Sequence, residues 1–127
     1  MNPRFLDLAK VLEIHASCID LYGGTHGLRD ISLLESAIAQ PLAGFGGKYF
    51  HTDLFEMAAA YLFHLSRNHP FIDGNKRTAL ASTLVFLAYN SVEIEATTDE
   101  LEELTLNAAQ GKIEKDQIAK ILRRHTA

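Results

Sequence analysis

The sequence predicts an all-α protein, a compact bundle of about six helices forming one domain over residues 1–127, with a short flap or hairpin near residues 43–52. Three observations predict this fold class. Apolar residues recur at steps of three and four in segments that glycine and proline separate. The 127 residues are 47% hydrophobic, which is enough for one core and short for two. No repeat, low-complexity tract or linker interrupts these segments.

The amino-terminal half contains the first two predicted helices. Residues 4–21 place apolar residues at helical steps with charged residues between them, and Gly23 and Gly24 end the pattern. Asp30 suits the N-cap of a second, short helix that closes before Pro41. Both helices are therefore expected to be amphipathic, with one face on a common core.

Residues 41–52 do not fit a helix, because three glycines interrupt them. Large aromatic residues, Phe45, Tyr49 and Phe50, are set among those glycines. This composition indicates a loop or a short hairpin.

A third predicted helix begins after Asp53, which has the spacing of a capping box with Glu56, and runs to Asn68 before Pro70. A fourth begins near Gly74 or Asn75 and ends near residue 90. It is apolar nearly all round, which predicts that it is the central helix.

The carboxyl-terminal third predicts one brief strand and two helices. Residues 91–95 alternate like a strand, and Thr97 with Glu100 has capping-box spacing before a fifth helix that ends at Gly111. Residues 114–124 predict the sixth helix.

Composition excludes several classes of protein. The formal net charge is −4 and the basic residues are scattered, so no broad surface for nucleic acid is expected. Cys18 is the only cysteine, which rules out an intrachain disulfide and fits a reducing cytoplasm. No stretch reaches the ~20 apolar residues of a membrane span, and the amino terminus does not form a signal-peptide core.

The segment between the third and fourth helices concentrates polar chemistry. A helix that starts at Gly74 presents unpaired N–H groups to an anion such as phosphate, and Lys76 and Arg77 are unfavourable there without one. His69 could accept the proton of an attacking hydroxyl. Asp73 could hold Mg²⁺ beside a phosphate. These are the parts that phosphoryl or nucleotidyl transfer requires.

Each of these residues also has a structural interpretation. Taken singly, His69 reads as a loop or capping histidine, Asp73 as an N-cap, and Lys76 with Arg77 as a solvated basic pair. The combination of all of them within nine residues favours a functional site.

The segment His69-Pro-Phe-Ile-Asp-Gly-Asn-Lys-Arg77 closely resembles the motif of the Fic family, His-x-Phe-x-(Asp/Glu)-Gly-Asn-(Gly/Lys)-Arg. The stretches 21–24, 27–35 and 53–56 resemble its death-on-curing, or Doc, branch of toxins. The resemblance implies a compact helical fold, His69 as general base, Asp73 as the Mg²⁺ residue, and Phe71 as a packing anchor. It also implies an anion-binding nest made by Gly74, Asn75, Lys76 and Arg77.

Two departures from the AMP-transferring Fic pattern favour another reaction. That pattern has glycine where this chain has Lys76, and a second arginine where it has Leu80. Both departures resemble the Doc branch, which implies transfer of the terminal phosphate of ATP to a protein hydroxyl. Transfer of AMP is the alternative.

One further site residue is predicted from its position, and the flap and the partners are expectations of the same resemblance. Arg67 is placed where a second phosphate-facing cation could lie, or where it complements the helix dipole. Lys48, Tyr49 and Phe50 resemble the flap that holds a target segment, and the alternative is that the aromatic residues cap the core. A Phd-like antitoxin and a bacterial target, plausibly a translation factor, are the implied partners.

Two other classes compete with a transferase. A catalytically silent module would use the anion nest to bind nucleotide or an antitoxin segment without turnover. A metal-dependent hydrolase would use His69 and Asp73, but it lacks the clustered ligands that such a site needs.

Overall fold

The computed structural model of the chain describes residues 2–127 and confirms the predicted fold class. The helices are α1 (Leu8–Tyr22), α2 (Ile31–Ala39), α3 (Leu54–Asn68), α4 (Asn75–Tyr89), α5 (Thr98–Ala109) and α6 (Lys115–Arg124). A 3-10 helix, Gln40–Leu42, follows α2, and β1 (Gly44–Phe45) pairs antiparallel with β2 (Lys48–Tyr49).

Capping side chains set where most of the helices begin. The side chain of Asp30 accepts the N–H groups of Ser32 and Leu33 at the start of α2, and Thr97 and Glu100 form the predicted reciprocal capping box at α5. Helix α1 begins later than the sequence predicted, because the side chain of Asp7 accepts an N–H of its first turn and makes Asp7 the N-cap.

The predicted capping box of α3 is half formed. The Asp53 side chain accepts the Glu56 N–H at 2.8 Å, as expected. The Glu56 carboxylate accepts from the hydroxyl of Thr52 at 2.6 Å instead of from the N-cap N–H. The helix therefore begins where predicted, with one of the two reciprocal bonds replaced by a contact to the preceding residue.

Helix α3, and not α4, is the centre of the bundle. It packs against α2, α4, α5 and α6, whereas α1 lies against α4 and α2. The run from Met57 to Leu62 is completely buried. The prediction that α4 is central was wrong, because its apolar character includes positions such as Leu80 and Ala81 that are only partly buried.

The hairpin lies where the sequence predicted a flap or hairpin. Gly44 pairs with Tyr49 and Phe45 with Lys48. Gly46 and Gly47 both have positive φ, 62° and 80°, as a two-residue turn of type I′ requires. The Tyr49 ring packs edge-on against Phe5 at 5.6 Å between centroids.

The predicted strand at residues 91–95 is wrong. Only Ile94 forms an isolated bridge, with Thr126, and the flanking N–H of Glu95 donates to the carbonyl of His125. The N–H of Ala127 also donates to the carbonyl of Glu93 at 3.0 Å, so residues 93–95 bind the segment after α6 through isolated hydrogen bonds without forming a strand. Among the described residues, no helix combines the length and apolar character needed to cross a bilayer.

Candidate active site

The polar segment identified in the sequence forms a tight loop between the end of α3 and the start of α4. Its two ends have left-handed backbone conformations. His69, the C-cap of α3, has φ 48° and ψ 54°, and Gly74, the N-cap of α4, has φ 75° and ψ 19°. The His69 side chain is exposed. A residue with a Cβ adopts this conformation rarely, so surrounding contacts must hold His69 in place.

The start of α4 is open to an anion. No side chain caps this helix and its first turn contains no acidic residue, which leaves backbone N–H groups and two cations facing outward. A surface pocket of about 280 Å³ lies here, lined by Cys18, Ile19, Gly23 and the run Asp73–Arg77. Lys76 and Arg77 also line a neighbouring groove with Leu80 and Leu106.

The side chain of Asn75 shapes the loop. Its Oδ1 accepts the N–H of Phe71 at 2.9 Å, and its Nδ2 donates to the carbonyl of Phe71 at 3.0 Å. Both ends of the amide are therefore used within the loop. The side chain of Asn75 therefore stabilises the loop from within.

Asp73 also lines the pocket, and both of its carboxylate oxygens accept backbone hydrogen bonds. Its Oδ2 accepts the N–H of Thr25 at 3.0 Å, and its Oδ1 accepts the N–H of Gly74 at 2.8 Å. Gly24 lets the chain pass close by, since a Cβ there would lie 2.6 Å from Oδ2 of Asp73. Each oxygen keeps a lone pair for a further ligand.

A stacked pair of rings supports the loop from below. Phe71 is buried, as the predicted packing anchor should be, and its ring lies flat on that of His15 with 3.8 Å between centroids. Nε2–H of His15 donates to the backbone carbonyl of Asp73 at 2.8 Å, which sets the tautomer of the ring. The role of His15 beneath the loop follows from the structure, because His15 lies 58 positions before Asp73 in the sequence.

The connection between α1 and α2 runs along the outside of the loop. The N–H of Ile72 donates to the carbonyl of Gly27 at 3.0 Å, and Leu28 forms an isolated antiparallel bridge with Phe71. The Arg29 guanidinium donates to backbone carbonyls at the end of α3. We refer to residues 23–30 as the clamp segment.

Arg77 lines the pocket and contacts the last residue of α1. Its guanidinium is 4.6 Å from the centre of the Tyr22 ring and donates to the carbonyl of Tyr22 at 3.4 Å. This is a long, weak bond, so the guanidinium keeps donors for a ligand. Cys18 lines the same pocket, and burial raises the pKa of its thiol, which makes it a poor nucleophile.

The hairpin does not lie at this site. Phe50 is only a few residues before α3, whereas His69 follows its last residue, and 15 helical residues span ~22 Å. Tyr49 reaches the core through Phe5, which stacks on Phe86 in the last turn of α4. The contacts of the motif loop are with α1 and the clamp segment, so the docking role of Lys48, Tyr49 and Phe50 stays a prediction.

Arg67 also has another environment than the one predicted. Its guanidinium lies 5.0 Å from the centre of the Phe63 ring, and Gly111 leaves room for it at the end of α5. It is not among the residues that line the pocket. The geometry therefore favours the helix-end interpretation of Arg67.

Of the described residues that line the pocket, only Asp73 has a carboxylate, and that carboxylate fits Mg²⁺ if a nucleotide supplies the other ligands. Among residues 2–127 there is no group of three His, Cys, Asp or Glu side chains that would enclose a metal. Asp73 is a single carboxylate beside the uncapped start of α4. Mg²⁺ keeps several waters and takes phosphate oxygens, so one carboxylate is sufficient when a nucleotide supplies the rest.

Comparison with known proteins gives one family. Residues 5–87 match the model of the Fic/DOC family. The chain is 39% identical over 121 residues to "Protein kinase doc" of Escherichia phage P1, which covers 95% of this chain and 94% of the relative. It is 40% identical over 100 residues to "Toxin Doc" of Mycolicibacterium smegmatis, which covers 77% of each.

Proposed function

Because the chain belongs to the Fic/DOC family, we propose that it is a Doc-type toxin that transfers the terminal phosphate of ATP to a Ser, Thr or Tyr hydroxyl of a bacterial protein. The observation that carries the proposal is the loop itself. It places an exposed His69 one tight turn before an uncapped helix start that has Lys76 and Arg77 in its first turn.

In the proposed reaction, a nitrogen of His69 takes the proton of the target hydroxyl as its oxygen attacks the terminal phosphorus. The new O–P bond forms as the bond between that phosphorus and the bridging oxygen breaks, and ADP leaves. The backbone of Gly74–Arg77 and the side chains of Lys76 and Arg77 stabilise the charge on the phosphate oxygens. Asp73 is the residue we propose to hold Mg²⁺, which would neutralise phosphate charge when bound.

The groove beside the pocket favours phosphate transfer over AMP transfer. Leu80 lies there with Lys76 and Arg77, where the AMP-transferring pattern has a second arginine. An apolar side chain offers no contact to a further phosphate. The two cations and the start of α4 can together bind the transferred terminal phosphate of ATP and the phosphate next to it.

A protein target is favoured by the surface around the pocket. Several apolar side chains near the loop are open to solvent, among them Leu21 at 75%, Tyr22 at 64% and Ile72 at 57% of their full area. Exposed apolar clusters of this kind mark contacts with other proteins. We propose that this surface, formed by the end of α1, the clamp segment and the motif loop, faces the target, which we propose to be a translation factor.

The remaining proposals follow from the family. The relative from Mycolicibacterium smegmatis is named a toxin, and we propose that this chain, as a single domain over residues 1–127, acts in the cytoplasm and is held inactive by a Phd-like antitoxin.

The test uses ATP labelled at either the α or the γ phosphate, incubated with the protein and a bacterial lysate. Label from the γ position on a lysate protein is the expected result, and label retained from the α position would establish AMP transfer instead. His69→Ala should abolish labelling, with His125→Ala as the matched control outside the motif. Loss of growth arrest with His69→Ala would exclude a silent binding module, and unchanged toxicity would exclude catalysis by His69.

A further inference from the structure

The end of α3 is closed in a way that differs from the other helices. In the other five, the backbone N–H of the C-cap residue donates to a carbonyl in the helix's own last turn. Within residues 2–127, the N–H of His69 makes no such bond. The last carbonyls of α3 would be left without a protein donor if nothing else reached them.

The side chain of Arg29 donates to carbonyls at this end of the helix. Its Nε–H donates to the carbonyl of His69 at 2.7 Å, and its Nη2–H donates to the carbonyl of Asn68 at 2.9 Å. The backbone N–H of Arg29 donates to the carbonyl of Pro70 at 2.8 Å. One residue of the clamp segment therefore binds three consecutive carbonyls around the proposed base.

These bonds fix a backbone conformation that is unfavourable on its own. His69 has φ 48°, a left-handed conformation that residues with a Cβ adopt rarely. The guanidinium is planar and presents Nε–H and Nη–H side by side, so it can bind two neighbouring carbonyls at once. Its charge also suits the negative end of the helix dipole.

We propose that Arg29 is a positioning residue for His69. By holding the carbonyls of Asn68 and His69, it keeps the His69 backbone left-handed and so determines where the imidazole projects toward the target hydroxyl. The inference rests on the proposed function of His69 as general base. Arg29 lies 40 positions before His69 in sequence and touches none of the reacting atoms in the proposed mechanism.

The test compares Arg29→Ala with Arg124→Ala, which removes an exposed arginine from the last turn of α6. Labelling of lysate protein from γ-labelled ATP is measured over a range of ATP concentrations and is normalised to the folded fraction from circular dichroism. The maximum rate of Arg29→Ala should fall by about 10- to 100-fold, because small misplacement of a reacting group has this effect. The apparent KM for ATP should change by less than about threefold, since the anion pocket is untouched.

Chemical rescue separates positioning from a general loss of structure. Millimolar guanidinium should restore part of the maximum rate of Arg29→Ala, whereas methylammonium, which cannot bind both carbonyls side by side, should not. Should Arg29→Ala fail to fold, Arg29→Lys, which keeps the charge and loses the paired donors, replaces it and should show the same drop in maximum rate.

Two results would overturn the inference. One is a maximum rate of Arg29→Ala within about twofold of that of the native protein. The other is a loss that guanidinium does not restore and that raises the KM for ATP in parallel. Activity that survives in His69→Ala would instead overturn the proposed function, so the two failures are distinguishable.

Discussion

Acidification is expected to destabilise the protein through His64, which lies on α3 against the start of α6. Its Nε2 is 3.2 Å from the Nζ of Lys115 and accepts a hydrogen bond from that ammonium group. Burial lowers the pKa of His64, and the charges of Lys115, His51 and Arg67 lower it further, to about 4. The folded state therefore prefers the neutral ring.

The sign of the effect follows from the direction of the shift. The folded-state pKa is about 4 and the ordinary value is 6.5, so the stabilisation is complete above pH 6.5 and is lost as the pH falls toward 4. A fully buried group with these values would lose ~1.8 kcal/mol of unfolding free energy between about pH 7 and pH 5. Because the His64 side chain is partly exposed, solvent screening reduces the expected loss to about 1 kcal/mol.

The assay is urea unfolding followed by circular dichroism at both pH values, for the native protein and for His64→Gln. Glutamine can still accept the hydrogen bond from Lys115 but does not titrate. The native protein should lose about 1 kcal/mol more than the variant on acidification. The pKa of His51 is also lowered by burial, but that contribution is common to both proteins. Equal losses in the two proteins would refute the assignment to His64.

Three substitutions test other parts of the structure. Gly24→Ala would place a Cβ 2.6 Å from the Asp73 carboxylate, and phosphate labelling should fall about 10-fold; full labelling would show that this carboxylate is not needed where it stands. Tyr61→Phe leaves the N–H of Leu6 without its 2.9 Å acceptor and should lower the unfolding free energy by about 1 to 2 kcal/mol in urea; no change would mean that water replaces the hydroxyl. Gly44→Ala collides with the opposite strand of the hairpin, yet labelling should stay within about twofold, because the hairpin lies far from His69. A loss of labelling in Gly44→Ala would indicate that the hairpin binds the target protein.

Local features of the chain were predictable because their physics is local. Asp30, Asp53 and Thr97 are followed by N–H groups that their side chains reach within three residues, and this spacing is visible in the sequence. Gly46 and Gly47 likewise mark a two-residue turn. The nine-residue motif is contiguous, so its residues had to lie together around one helix start.

Features that depend on packing between distant segments were not predictable. Arg29 reads in sequence as a solvated loop residue, and its two bonds to the end of α3 exist only after the clamp segment folds onto the motif. The docking role of the hairpin was predicted from a resemblance to the flap of the Fic family. Its true position depends on the direction of α3, whose two ends carry the hairpin and the motif.

The two ends of the loop between α3 and α4 are held by different neighbours, so substitutions at the two ends should have different effects. Arg29 holds the backbone at His69, the end proposed for proton transfer. His15 and Thr25 hold the other end, through the backbone carbonyl and the side chain of Asp73. Substitutions that release the His69 end should therefore lower the maximum rate. Substitutions that release the Asp73 end should weaken nucleotide binding. The buried ring of Phe71 packs beneath the loop between these two ends. Removing it should therefore lower the maximum rate and also weaken nucleotide binding.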